Sequence, residues 1–139
     1  MSATNVLLVD DEERFLKTTK TLLDRMECNV FTASDGRLGL AQLKVQSIDV
    51  VVLDVKMPGV DGIDILRHIK QRHSLVEVIM LTGHSTMDTA IRGLNLGAFD
   101  YLTKPCDISE LQLKIKAAHE RRTVMLDKIR RAKKMVNSL

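Results

Sequence analysis

Val50-Val51-Val52-Leu53 runs into Asp54 and then into a turn-rich segment, Lys56-Met57-Pro58-Gly59-Val60-Asp61-Gly62. Three other apolar runs end in the same way. Val6-Leu7-Leu8-Val9 leads into Asp10-Asp11, Val78-Ile79-Met80-Leu81 into Thr82, and Tyr101-Leu102-Thr103 into Lys104-Pro105. Short, continuous, β-branched runs bounded by polar loops are the pattern of strands buried on both faces, as in a parallel sheet. Ligands of such sheets sit outside the carboxyl ends of the strands. One sheet edge would therefore gather three carboxylates, a hydroxyl and an ammonium. That is the chemistry of a metal-assisted phosphoryl site.

The segments between these runs carry helical spacing. Asp11 can cap a first helix whose apolar residues are Phe15, Leu16, Leu22, Leu23 and Met26, with Thr19 on the same face. A further strand is expected near residues 30–33, followed by a helix over about 38–46. The turn-rich 56–62 segment reads as a loop. Helices then follow over about 63–73 and 86–96, the second stopped by Gly97 as a C-cap. A last helix begins near Ile108 and meets no obvious breaker. Five β-then-α units predict an α/β, flavodoxin-like (βα)5 doubly wound parallel sheet with strand order 2-1-3-4-5 and an extended C-terminal helix. That order sets Asp10, Asp11 and Asp54 side by side.

At 139 residues the chain is expected to form one domain, residues 1–120, with 121–139 as a basic helical extension or linker. Aromatics are only 3% of it, so the core must be aliphatic. No apolar stretch approaches the ~18 residues of a membrane span, and no signal-peptide layout opens the chain. A cytoplasmic location is expected, with Cys28 and Cys106 as free thiols. The net charge of +3 hides an asymmetry. Residues 1–113 hold 12 basic against 16 acidic side chains, whereas residues 114–139 hold 9 against 2.

Taken singly, each strand-end residue has a plainer reading. Asp10-Asp11 and Thr82-Gly83 could cap helices, Asp54 could open a turn, and Lys104 could be a solvated surface lysine. In conjunction they describe chemistry. Clustered carboxylates raise one another's pKa unless a cation intervenes. Oxygen ligands of this kind suit Mg²⁺, with Mn²⁺ as an alternative. An Asp beside such an ion can attack phosphorus and become an acyl phosphate, its developing charge met by Lys104 and Thr82.

The stretches VLLVDDE (6–12), VVLDVKMPGVDG (51–62), LTGH (81–84) and GAFDYLTKP (97–105) resemble the signature segments of response-regulator receiver domains, in order and in spacing. The likeness covers about residues 4–120. Residues 82–111 further resemble receivers of the nitrogen-regulation, enhancer-binding class. The resemblance implies that Asp54 accepts phosphate from the phosphohistidine of a histidine kinase or phosphotransfer protein. It implies that Asp11 binds the metal directly, Asp10 mainly through water, and Lys56 through its backbone carbonyl. Thr82 and Lys104 would contact the phosphoryl oxygens, the Lys104–Pro105 bond would be cis, and Tyr101 would change rotamer as Thr82 moves. Lys56 and His84 flank the approach of hydrolytic water and would tune the phosphoryl lifetime, unless both are solvated bystanders. Cys106 stands where similar receivers carry a larger apolar residue.

In the last helix Leu111, Ile115, Ala118, Arg122, Met125, Ile129, Ala132, Val136 and Leu139 are spaced 4,3,4,3,4,3,4,3. This is a heptad stripe broken by Arg122. Its first part is the face of a helix on the sheet. Its second part predicts an extended helix that pairs with a second copy, as a homodimer through the C-terminal helix, or leads to an effector, with a basic solvated tail as the plainer reading. The Arg130-Arg131-Ala132-Lys133-Lys134 run has no DNA-binding motif and no aromatic platform beside it, so direct nucleic-acid binding is not expected. The leading function is a phospho-accepting switch rather than an enzyme, one that catalyses only its own phosphotransfer and dephosphorylation. Phosphorylation of Asp54 would shift the surface of helix four, strand five and helix five. A phosphate relay or sink without output is the alternative, and a basic-tail nucleic-acid-binding regulator ranks below it. A phosphatase with an aspartyl intermediate typically carries a second Asp two residues after the nucleophile, where this chain has Lys56.

Overall fold

The computed structural model describes residues 3–57, 59–83 and 87–139, the side chains of Val60 and Thr82 excepted. Its main sheet holds five parallel strands: β1 (Thr4–Val9), β2 (Cys28–Ala33), β3 (Val50–Asp54), β4 (Glu77–Thr82) and β5 (Asp100–Thr103). Their order is β2-β1-β3-β4-β5, the order the alternating pattern predicts. Five helices connect or follow them: α1 (Glu13–Asp24), α2 (Gly36–Val45), α3 (Gly62–Arg72), α4 (Met87–Asn95) and α5 (Ile108–Asn137).

The continuous apolar runs serve both faces of the sheet at once. Leu7, Val9, Val51, Leu53, Val78 and Met80 form one core with Leu43 of α2 and Ile63, Leu66 and Ile69 of α3. Val6, Leu8, Val50, Val52, Ile79 and Leu81 form the other with Leu16 and Leu23 of α1 and Leu111, Ile115 and Ala118 of α5. Alternate residues of a strand point to opposite faces, so a strand buried on both must be apolar throughout.

Local chemistry sets the helix ends. Asp35 and Asp61 cap α2 and α3, their side chains accepting N–H bonds from Leu38 and Ile63. Asp11 does not cap α1. The N-cap is Glu12, one residue later than expected and without a side-chain cap bond, and Asp10 Oδ1 accepts the Glu12 N–H at 2.9 Å. Beyond α4, Gly97 takes φ +106, with Gly97 N–H donating to Leu94 and Ala98 N–H to Gly93. This is a Schellman termination.

The 56–62 segment is not wholly loop. Lys56–Met57 pairs antiparallel with Val60–Asp61, and Gly59 at φ +75 turns the chain between them. Pro58, on which the loop reading also rested, lies outside the described residues. Gly62 then passes so close to the residue after Asp54 that a Cβ there would stand 2.5 Å from Val55 Cα. This contact fixes where the loop after Asp54 goes.

At the opposite edge of the sheet, charged groups hold the root of α5. Asp49 accepts the Asn5 N–H at 2.9 Å and lies 3.2 Å from Arg122 Nε. Buried Glu77 lies 3.2 Å from Arg121 Nε and 3.6 Å from Lys70 Nζ. Burial pulls the Lys70 pKa down, and the Arg121 and Arg122 charges add to that, against the opposing pull of Glu77. His119 Nδ1 is 2.7 Å from Thr4 Oγ1. The helix runs on unbroken across residue 120, and its last fully buried side chain is Ala118.

Replacing Gly62 with Ala is expected to cost about 1–3 kcal/mol in urea unfolding, the usual cost of overpacking against a fixed neighbour. The neighbour here is backbone. A loss below about 0.5 kcal/mol would contradict the close approach.

Candidate functional site

The ends of β1 and β3 supply the acidic residues. Val9 is paired with Leu53, so the next residues, Asp10 and Asp54, leave the sheet together. One carboxylate oxygen from each of Asp10, Asp11 and Asp54 lies within 4.8 Å of the others. Asp10 and Asp54 are buried, while Asp11 faces solvent.

The β5 end delivers the cation. Lys104 Nζ lies 2.5 Å from Asp10 Oδ2, 3.2 Å from Glu12 Oε1 and 3.9 Å from Asp54 Oδ2. It also sits over the Phe15 ring, 4.3 Å from the centroid. The Lys104–Pro105 peptide is cis. Asp54 Oδ1 accepts the Lys56 N–H at 3.0 Å, which leaves Oδ2 as the oxygen on the Lys104 side.

The electrostatics follow from this crowding. Burial, then the charges of Asp10 and Asp11, push Asp54 up from 3.8 to about 6, against the Lys56 N–H bond and the Lys104 charge. Burial alone would lower Lys104. Its hydrogen bond and charge pairing with Asp10, aided by Asp54 and Glu12, outweigh that and raise it. The ammonium is therefore firmly charged, and it already neutralises part of the cluster.

An all-oxygen donor set with one member solvent-facing fits a small hard cation such as Mg²⁺, which keeps several waters and takes one or two carboxylates. The ammonium drawn onto Asp10 answers part of the clustered negative charge, while Asp54 is raised chiefly by burial and secondarily by Asp10 and Asp11. A cation suits the site on physical grounds.

Other residues singled out by the sequence are placed as follows. Thr82 closes β4 opposite Thr103, its side chain lying outside the described residues, as does all of His84. Tyr101 is half-buried on the α3 side of the sheet and is paired with Met80. The Lys56 side chain is exposed. Cys106 lines an open groove of about 790 Å³ beside the site, with Phe15, Leu22, Lys104, Pro105, Ile108 and others. Burial raises its thiol, and nearby Glu110 and Asp107 add to this.

Sequence reasoning missed Glu12 and the second role of Phe15. Glu12 continues the acidic run and could have been noticed. Phe15 fits the apolar face of α1 so well that nothing marked its ring as a seat for an ammonium.

The family model of the response regulator receiver domain matches residues 6–116. The chain is 37% identical over 112 residues to the alkaline phosphatase synthesis transcriptional regulatory protein PhoP of Bacillus subtilis, covering 81% of this chain and 47% of the relative. It is 44% identical over 112 residues to the transcriptional regulatory protein CpxR of Klebsiella pneumoniae, with the same shares covered. The chain thus spans less than half the length of these curated relatives. A response regulator receiver domain protein from Clostridium thermocellum superposes with a TM-score of 0.83 at 40% identity, over 88% of this chain and 98% of that one. A structure of adenylate cyclase from Rhodopirellula baltica gives 0.89 at 30% identity, over 95% of this chain and 98% of that one. With a matching family model over most of its length, full-length structural likeness and an acidic cluster at the ends of β1 and β3, this chain belongs to the response-regulator receiver domain family.

Proposed function

We propose that Asp54 is the phosphoacceptor of this receiver and that its donor is the phosphohistidine of a histidine kinase or phosphotransfer protein. The observation that carries this reading is the convergence of Asp10, Asp11 and Asp54 with the Lys104 ammonium at one sheet edge. Metal-free Asp54 is pushed up to about 6, chiefly by burial, and a cation bound beside it would favour the carboxylate form that attacks phosphorus. A carboxylate oxygen of Asp54 forms the new bond to phosphorus as the phosphorus–nitrogen bond breaks, and the imidazole leaves with a proton. Lys104, and in this reading the Thr82 hydroxyl, meet the charge on the phosphoryl oxygens. Asp10, Asp11, Asp54 and the Lys56 carbonyl would hold Mg²⁺ or Mn²⁺, which would neutralise the carboxylates and the incoming phosphoryl charge.

In the same reading Tyr101 changes rotamer as Thr82 engages the phosphoryl group, and the α4–β5–α5 surface signals to an effector. Lys56 and His84 set the lifetime of the acyl phosphate. The chain catalyses only its own phosphotransfer and dephosphorylation, and it works in the cytoplasm. We assign residues 1–120 to the receiver proper and 121–139 to an extension of α5. Met125, Ile129 and Val136 are exposed there, beside a shallow groove of about 290 Å³. This stripe supports pairing with a second copy. Lys128 and Lys133 take g and e positions of the heptad and would face each other across a parallel pair, which weakens it at low salt. DNA binding is named in relatives such as the DNA-binding transcriptional regulator NtrC of Salmonella typhimurium, of which this chain covers 22%. Here we assign the basic run 130–134 to the pairing helix rather than to nucleic acid.

Incubation with Mg²⁺ and a small phosphodonor is expected to add one phosphoryl mass to the parent and none to Asp54→Asn, with chelation of the metal abolishing the gain. Labelling of the Asn variant would sink the assignment.

Metal-free stability should depend on pH through the same residue. Folded Asp54 holds its proton more tightly than unfolded Asp, so its contribution is fully present below about pH 4 and is lost as pH rises through about 6. At pH 7.5 the metal-free Asp54→Asn protein should exceed the parent by roughly 2–3 kcal/mol, a gap that closes toward pH 4. Thermal melts across that range check it, and a gap independent of pH would contradict the cause.

Solution mass should rise with salt for the parent and stay monomeric when residues 124–139 are removed, a cut that spares Arg121 and Arg122. Identical monomeric masses at all salt concentrations would remove the pairing assignment.

A further inference from the structure

Lys104 is not poised on Asp54. Its ammonium is 2.5 Å from Asp10 and 3.2 Å from Glu12, but 3.9 Å from Asp54 Oδ2, and one side of it rests on the Phe15 ring at 4.3 Å. Two of these partners, Glu12 and Phe15, belong to neither the acidic cluster nor the sheet edge. Glu12 is the N-cap of α1 and Phe15 lies in its first turn, so both backbones are fixed by a helix that packs on the sheet through Leu16 and Leu23, while the Glu12 side chain itself is exposed and the Phe15 ring is the better-anchored partner. Phe15 also lines the open groove beside the site, together with Ile108 and Leu22.

The geometry points to a holding site for Lys104. The Phe15 ring and the Glu12 carboxylate keep the ammonium at the edge of the cluster in the unphosphorylated protein, and the ammonium leaves them when it turns to the acyl phosphate on Asp54. Phe15 is thus a positioning residue that acts through Lys104. The inference rests on the phosphoacceptor reading of Asp54.

The two holding partners differ in what they supply. Glu12 contributes charge, which also repels an incoming phosphate anion, so its replacement would mix two effects. Phe15 is neutral. Its ring attracts the ammonium through the electron-rich face, most strongly for an indole and not at all for an aliphatic side chain. A cation held by the acidic cluster would compete with Lys104 for the Asp10 charge but not for the Phe15 ring or Glu12, so those two contacts would persist in the metal-loaded state. Only contacts that differ between start and end states change an equilibrium or a rate. Loss of the ring therefore favours phosphorylation while leaving metal affinity nearly unchanged.

Proton NMR of the full chain with labelled lysine reads the contact directly. The Lys104 ε-methylene protons should lie upfield of those of other lysines in the metal-free parent, remain so with Mg²⁺, and return to the ordinary position after phosphorylation by acetyl phosphate. Phe15→Leu should lack the shift from the outset and phosphorylate about two- to five-fold faster at saturating Mg²⁺. Phe15→Trp should keep the shift and phosphorylate more slowly than the parent. An unshifted Lys104 in the parent, or Leu and Trp variants that change the rate in the same direction, overturns the holding site. Failure of the parent to accept phosphate sinks the phosphoacceptor reading and the release step with it. The metal-free resonance then still decides the resting contact by itself.

Discussion

Three carboxylates held within 4.8 Å of one another are the constraint around which this molecule is arranged. Like charges at that spacing repel, and two of the three are also buried. The register of β1 against β3 enforces the crowding, and hydrophobic burial on both faces of the sheet holds that register. Sliding either strand by one residue would put Asp10 and Asp54 out of step at the sheet edge, because Val9 would no longer stand opposite Leu53. The repulsion is answered locally. Among the described residues, the Lys56 N–H reaches Asp54, the Glu12 N–H reaches Asp10, and the Lys104 ammonium stands between Asp10, Glu12 and Asp54. Everything chemically active at this edge is a response to negative charge that the fold has gathered and only partly neutralised.

Much of this was legible in the chain because it depends on period and order. Runs such as Val50 to Leu53 are apolar without alternation, which selects a doubly covered sheet, and the β-then-α rhythm selects the strand order. Asp10, Asp11, Asp54 and Lys104 could be located because a residue following a parallel strand has only one edge to go to. The features that escaped depend on side-chain direction. Phe15 fits the spacing of a core residue, and no periodicity reveals that its ring also faces an ammonium. Asp11 has the right identity for a cap, but the helix starts one residue later, with Glu12 at the N-cap. The small hairpin after Asp54 was hidden by its own turn formers. Composition identifies a reversal of the chain but not whether the flanking residues pair.

The two edges of the sheet divide the work between them. At the carboxyl edge charge is left in excess, in reach of solvent, where a ligand can finish the balance. At the amino edge Asp49 and Glu77 are each matched to arginines of α5, and Glu77 to Lys70 as well. Both edges carry acids next to bases, but among the described residues the surplus is acidic at the carboxyl edge and basic at the amino edge. Asp49 and Glu77 meet β3 and β4 at the ends opposite Asp54 and Thr82. The strands that end at Asp54 and Thr82 are therefore the same ones to which the long helix is fastened.

That fastening has a mechanical side. From Ala118 to Asn137 the helix extends about 28 Å beyond its last fully buried side chain, at 1.5 Å per residue. A rod held at one end magnifies angle into displacement: measured from the arginine clamp the lever is about 24 Å, so a tilt of about 10° there carries the free end about 4 Å. A change too small to disturb the packing of the sheet would be read at the tip as a change of register. The helix is, in effect, the pointer of a gauge whose pivot is the amino edge of the sheet.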